Sequence, residues 1–172
     1  MSASVSQNLL SILKFAVFFM IAQFVNNVIS NTDHHLHSFF LCRKCGREIV
    51  QVSNVINVPS DMAISKRNDS LGPADRVMVQ LFKNPQGAMF EVITTKEANV
   101  FRASEQVSGD TWWPGYNWII LGCPQCHQHV GWEYIPQNKN SDAKSFFGLV
   151  LSNLLYENEA DELIVLPKSY QS

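Results

Sequence analysis

Residues 110–134 read DTWWPGYNWIILGCPQCHQHVGWEY, and this stretch decides the fold. It holds all four tryptophans (Trp112, Trp113, Trp118, Trp132), two tyrosines (Tyr116, Tyr134) and a Cys-x-x-Cys pair, Cys123 and Cys126. Large aromatic side chains bury about 150–250 Å² each, so this density needs either a core or a pocket to receive it. The runs Trp118–Leu121 and Val130–Ile135 on either side of the cysteine pair read as strands. Pro114 and Gly115 keep the segment ahead of them out of regular structure.

The pair has one mate, Cys42-Arg-Lys-Cys45, well upstream, and the chain has no other cysteine. Two residues between cysteines let both sulfurs reach one tetrahedral centre, so two such pairs predict a four-thiolate zinc site tying distant parts of one domain together. The alternative is two redox dithiols or two disulfides. Gly46, directly after Cys45, helps the backbone turn around an ion. If zinc takes all four cysteines, the site is closed and no thiol remains as a nucleophile.

Working outward, Glu48–Val52 alternates apolar and polar residues and predicts a strand. Ser60–Asp75, with its Gly72-Pro73 punctuation, reads as a loop. It includes the sequon Asn68-Asp69-Ser70, open to glycosylation on a secretory route. Arg76–Phe82 and Ala88–Thr95 form a hairpin around Lys83–Gly87, and Asn99–Ala103 gives another short strand. In Ser141–Tyr156 a capping Ser141 or Asp142 and the spacing of Phe146, Phe147, Leu149, Val150, Leu154 and Leu155 predict a short helix or helical turn. Asn158–Glu162 is an acidic loop, Leu163–Leu166 a last strand and Pro167–Ser172 a tail. The fold class is mostly β, largely antiparallel.

A length of 172 residues fits one domain plus a short appendage. With a net charge of −2 and no Lys/Arg run, the chain lacks the basic face that a nucleic-acid partner requires. Residues 9–30 carry the one strong hydrophobic run. It falls short of a spanning helix and suits a signal peptide (residues 1–30) cut at Ser30–Asn31, although Met1–Asn8 has no basic residue. An uncleaved anchor, the one route to a membrane, or an amphipathic helix are the alternatives. Secretion would favour disulfides over free thiols unless zinc is loaded first. Residues 31–40 form a leader with His34, His35 and His37, which reads as solvated rather than metal-binding.

Trp112, Trp118 and Trp132, closed by Tyr134, make a box for a cation over ring faces or for a small flat polar ring. The bland alternative is a plain aromatic core. Asp110, His127, His129 and Glu133 are the acids and bases nearest the second knuckle. No Ser/His/Asp or paired-carboxylate arrangement is legible, so catalysis is not expected.

The motifs LCRKC (41–45), NPQG (84–87), WWPGYNW (112–118), CPQC (123–126), HVGWEY (129–134) and FFGL (146–149) together resemble the CULT domain, the thalidomide-binding domain of cereblon and its secreted and bacterial relatives. The resemblance runs from Leu41 to about Leu155. It implies a β-tent over residues 41–166: two antiparallel sheets at an angle, pinned by Zn2+ on Cys42, Cys45, Cys123 and Cys126. It also implies an aromatic cage for a cyclic imide or uracil-like ring, including one at a modified peptide C-terminus. Trp112, Trp118 and Trp132 would be the walls, Tyr134 would stand where the family has Phe, and Asn84 would sit at the rim. Asp110, followed by Thr111, stands where the family often has His. That residue's carbonyl accepts the imide N–H, so the contact could survive the change. Gln86 likewise stands where cereblon has His. Nothing here matches cereblon's N-terminal protease-like domain or its ligase-adaptor helices, so ubiquitin-ligase partners are not expected. The architecture looks like a stand-alone secreted member acting as a binding module. Methionine sulfoxide reductase B, which shares the β-tent by resemblance, needs a cysteine beyond the zinc ligands, and this chain has none.

Overall fold

In a computed structural model, residues 17–18, 20–24, 38–71, 74–138, 140 and 142–157 are described. The chain divides into two units, Met1–His37 and Ser38–Ser172. In the first, residues 17–18 and 20–24 are helical, with Val17, Phe18, Met20, Ile21 and Phe24 exposed. No helix among the described residues is long and apolar enough to cross a membrane.

The second unit is built of strands. They are β1 (Phe39–Cys42), β2 (Glu48–Gln51), β3 (Val55–Ile56), β4 (Ser65–Leu71), β5 (Ala74–Lys83), β6 (Met89–Thr95), β7 (Phe101–Arg102), β8 (Tyr116–Gly122), β9 (His129–Pro136), β10 (Phe146–Val150) and β11 (Leu154–Tyr156). A three-stranded sheet has the order β11-β1-β2. An eight-stranded sheet has the order β4-β5-β6-β10-β9-β8-β7, with β3 also on β6. Every pairing is antiparallel. The mostly β, two-sheet architecture expected from the sequence is therefore present.

The large sheet is buried on both faces, and strand alternation divides the work. Ile93, Leu121, Val130 and Leu149 join Phe40, Ile49, Val50 and Leu154 of the small sheet and its flanks in one core. Val92 and Tyr134, from the opposite face, join Phe82, Trp113 and Phe146 in a second core. Where β9 meets β10, Gly131 adopts φ 153°, a conformation side chains rarely take. A Cβ on Gly131 would fall 2.1 Å from the Gly148 carbonyl oxygen, which no side chain tolerates. Glycine here is required by proximity of backbone to backbone.

Two expectations change. Ser60–Asp75 is not all loop: Ser65–Leu71 pairs with β5, from Ser65↔Leu81 to Leu71↔Ala74. Its residues are polar and mostly exposed, as befits an edge strand, and so carried no apolar alternation to be read. In Ser141–Tyr156 the helical turn shrinks to one 3₁₀ turn, Leu151–Asn153, between two strands. Phe146, Leu149 and Val150 are buried because β10 lies between β6 and β9, a tertiary setting that overrides helical spacing. Leu163–Leu166 and the tail lie outside the described residues, as do the histidines of the leader.

Candidate zinc site and aromatic cage

The two knuckles have the same backbone hydrogen bonds. Cys42 N–H donates to Arg47 O (2.7 Å) and Gly46 N–H to Cys42 O (2.8 Å). Cys123 N–H donates to Gln128 O (2.8 Å) and His127 N–H to Cys123 O (3.0 Å). Both loops need a left-handed residue one place after the second cysteine. Gly46 supplies it at φ 74° without strain, whereas His127 adopts φ 61° with a side chain attached. The His127 ring lies against Phe101 at 5.1 Å.

Cys42 closes β1 and Cys123 follows β8, so the knuckles come from different sheets. All four thiols are unbridged and lie within 4.8 Å of one another. The Cys42–Cys126 and Cys45–Cys123 Sγ separations are both 3.6 Å. A tetrahedral zinc with bonds of about 2.3 Å holds its sulfurs roughly 3.8 Å apart, so the donor set fits zinc and not a disulfide. The electrostatics agree. Burial opposes ionisation of Cys123, but the backbone N–H groups of Cys126 and Gln125 and the neighbouring thiols outweigh it and bring it to about 7. At Cys45 the Arg47 N–H favours the thiolate, yet burial and the three other cysteines push it up to about 12. A bound cation would hold all four sulfurs as thiolates against their mutual repulsion.

The cage lies along the β8–β9 hairpin. Trp118↔Tyr134 and Ile120↔Trp132 are cross-strand pairs, so these four side chains share one face. With Trp112 they line a cavity of about 500 Å³. Asn84, Pro85, Gln86 and Asp110 form its edge. Trp112 and Trp132 meet edge to face at 4.8 Å, while Trp118 packs against the second core from the β8 side. Trp118 Nε1–H donates to Gly109 O (2.6 Å), and its backbone exchanges two hydrogen bonds with Val107. Tyr134, 2% exposed, lies at the bottom, stacked on Phe146 (5.1 Å, 19°), and burial holds its phenol well above the usual range and therefore neutral. Asn84 closes the β5–β6 turn, its Oδ1 accepting from Ala88 N–H (2.7 Å). Thr111 does not line the cavity. Its Oγ1 bonds the backbone of Trp113, whose indole is core and donates to Val58 O (3.2 Å).

Sequence reasoning missed the supports. Trp112 stacks on Phe82 (4.7 Å, 10°), and its carbonyl accepts the Ser60 hydroxyl. Ser60 is in turn fixed by the fully buried Gln80, whose Oε1 accepts Ser60 N–H (2.8 Å) and whose Nε2 donates to Val58 O (3.0 Å). A glutamine within an apolar strand was the available signal. Phe90 presents an edge to Trp132 at 5.3 Å. His129 also lines the cavity, its ring 4.6 Å from that of Trp132 and its Nε2 3.1 Å from Gly131 O. Burial lowers its pKa against the opposing effect of the Gly131 carbonyl, so the ring is neutral at physiological pH. Simple alternation would put His129 and Trp132 on opposite faces. A bulge, where Leu121 pairs Gly131 but Gly122 pairs His129, restores them to one. His127 stays exposed beside Phe101, and Glu133 faces away to form a bidentate pair with Arg102 (2.7 and 2.8 Å).

Comparison with known proteins accords with this geometry. The family described as Yippee zinc-binding/DNA-binding/Mis18, centromere assembly, matches residues 38–162. Protein cereblon of Drosophila melanogaster is 31% identical over 120 residues, 68% of this chain and 18% of that protein. Protein cereblon of Drosophila mojavensis is 32% identical over 130 residues, 74% of this chain and 17% of that protein. In Gallus gallus the figures are 29% over 96 residues, 55% and 22%. The chain thus spans about a fifth of the length of these relatives. Because the matched region contains both knuckles and every residue lining the cavity, the chain belongs to the Yippee–Mis18 zinc-binding family and carries a cereblon-like CULT domain.

Proposed function

We propose that this protein is a zinc-stabilised binding module whose tryptophan cage captures a small cyclic imide or uracil-like ring, free or at a modified peptide C-terminus. One observation carries the reading. Three tryptophans that could have packed shut instead border an open cavity of about 500 Å³, within the usual range of small-ligand sites. A flat ring fits between Trp118 and the Trp112–Trp132 pair. Backbone groups at 109–112 are near enough to the cage to receive its N–H, Trp118 itself being tied to Gly109. Binding rather than turnover is favoured because the four thiols are taken by the metal site and the His129 Nε2 is engaged by Gly131. The DNA binding named in the family description finds no support in a net charge of −2 without a basic run, and ubiquitin-ligase partners are not part of the reading.

The test is a tryptophan-fluorescence titration of the zinc-loaded protein with glutarimide, succinimide and uracil. Saturable quenching that Trp118→Ala removes, with fold and zinc content retained, is the expected result. Unchanged affinity in that variant sinks the reading. We place the module in the secretory pathway on the strength of the hydrophobic segment 9–30. Expression in secreting cells should yield a mature N-terminus at Asn31, and a chain recovered intact in the cytosol refutes this.

A further inference from the structure

The cavity is electrically lopsided. Of its lining residues, Asn84, Gln86, the aromatics and the neutral His129 carry no charge, which leaves the Asp110 carboxylate. Asp110 is exposed and has no hydrogen bond or ion pair with another described residue. Its position is nonetheless built. Its φ of 50° lies in the left-handed region that side chains seldom occupy. On one side Gly109 O accepts the Trp118 indole N–H (2.6 Å), and on the other Thr111 Oγ1 donates to Trp113 O (3.1 Å). An unpaired anion is thus braced at the mouth of a box of indole faces, and indole faces attract cations.

We propose that the cage selects ligands that carry a positive charge beside the ring, with the tryptophan faces and the Asp110 carboxylate acting together on an ammonium group. This rests on the cage reading above and narrows its ligand class from neutral rings to cationic ones. A bare imide then meets half of the site, the aromatic walls. A ring with a protonated amino substituent meets both halves. An anionic substituent at the same place is repelled.

Three probes are titrated into the zinc-loaded protein by tryptophan fluorescence: neutral glutarimide, 3-aminoglutarimide at a pH where its amine is protonated, and tetramethylammonium. Asn tolerates the same left-handed backbone, so Asp110→Asn removes the charge and leaves the loop in place. The amino compound should bind wild type about three- to tenfold more tightly than glutarimide, the sum of an exposed ion pair and a partly desolvated cation–π contact. That advantage, read as the ratio of the two imide affinities within each protein, should vanish in Asp110→Asn and shrink in high salt. Equal affinities for the two imides in wild type, or an advantage that survives Asp110→Asn, overturns the inference and leaves the imide cage standing. If neither imide binds but tetramethylammonium quenches saturably in an Asp110-dependent manner, the imide reading fails and the cation selectivity holds. Silence from all three probes with a folded, zinc-loaded protein overturns both.

Discussion

Replacing Gly131 by alanine should part β9 from β10, and the cost follows from the contacts. The new Cβ would lie 2.1 Å from Gly148 O and 2.9 Å from Leu149 Cα. Carbon and oxygen ordinarily approach no nearer than about 3.3 Å, so the strands must separate by roughly 1 Å. That takes a ladder hydrogen bond of about 2.9 Å beyond hydrogen-bonding reach. Neighbouring backbone cannot yield as a side chain can, because Gly131↔Leu149 and Trp132↔Gly148 are adjacent rungs between two central strands. Two lost rungs at about 1 kcal/mol each, plus about 1–3 kcal/mol of overpacking, give roughly 3–5 kcal/mol. At about 2 kcal/mol per M, the urea midpoint of the zinc-loaded protein falls by roughly 2 M. Ring binding should weaken as well, since Trp132 is next in the strand. An alanine variant whose midpoint stays within about 0.5 M of wild type would refute the claim that the strands are held together by the absence of a side chain.

Further outcomes follow from the metal and its surroundings. Cys45→Ser or chelation should abolish zinc binding and remove a cross-link between segments 78 residues apart, costing about 4 kcal/mol and lowering the melting midpoint by roughly 10 °C; calorimetry with metal analysis checks it. Gly46→Ala, with nothing within 4 Å of the new Cβ, should cost about 1 kcal/mol through its backbone alone. His127→Gly should come within about 1 kcal/mol of wild type, relieved strain offsetting lost rigidity and the Phe101 contact; a large loss would show that the His127 ring matters more than its backbone. His129 is held below its ordinary 6.5 in the folded protein, so the unfolded chain binds more protons as pH drops. Its contribution is therefore whole above about pH 6.5 and is lost as pH falls toward the lower folded value. His129→Gln should flatten this part of the acid-stability curve, and a slope identical to wild type would exclude His129 as its source.

The parts of this molecule legible in the sequence are those set by local chemistry. Two Cys-x-x-Cys pairs announce a tetrahedral donor set wherever they fall, and Glu48–Gln51, Arg76–Phe82 and Trp118–Leu121 are short runs rich in the β-branched and aromatic residues that strands favour. Of the cage tryptophans, Trp112 was readable from the irregular segment that Pro114 and Gly115 mark, whereas Trp118 and Trp132 lie in strands and share a face through their register. What escaped depends on the neighbours a segment meets rather than on its own residues. Ser65–Leu71 is a strand because β5 lies beside it, not because its polar residues favour one. Phe146–Val150 is extended because β6 and β9 flank it. His129 reached the cavity through a bulge that cancels alternation, and Gln80 supports Trp112 through Ser60, a route no spacing encodes.

The small sheet joins opposite ends of the domain, since Phe40 pairs with Tyr156 while both lie far from the β8–β9 hairpin in sequence. Contact order favours one order of assembly. The hairpin is local and closes fast, presenting Cys123 and Cys126 as a ready two-thiol half-site. The other half-site waits on a long loop closure, the slow event of folding. Until it arrives, the early pair is uncapped and open to oxidation, so in an oxidising compartment zinc capture races against disulfide formation during each folding event. The availability of metal at synthesis, rather than the stability of the finished fold, then sets the yield of native protein.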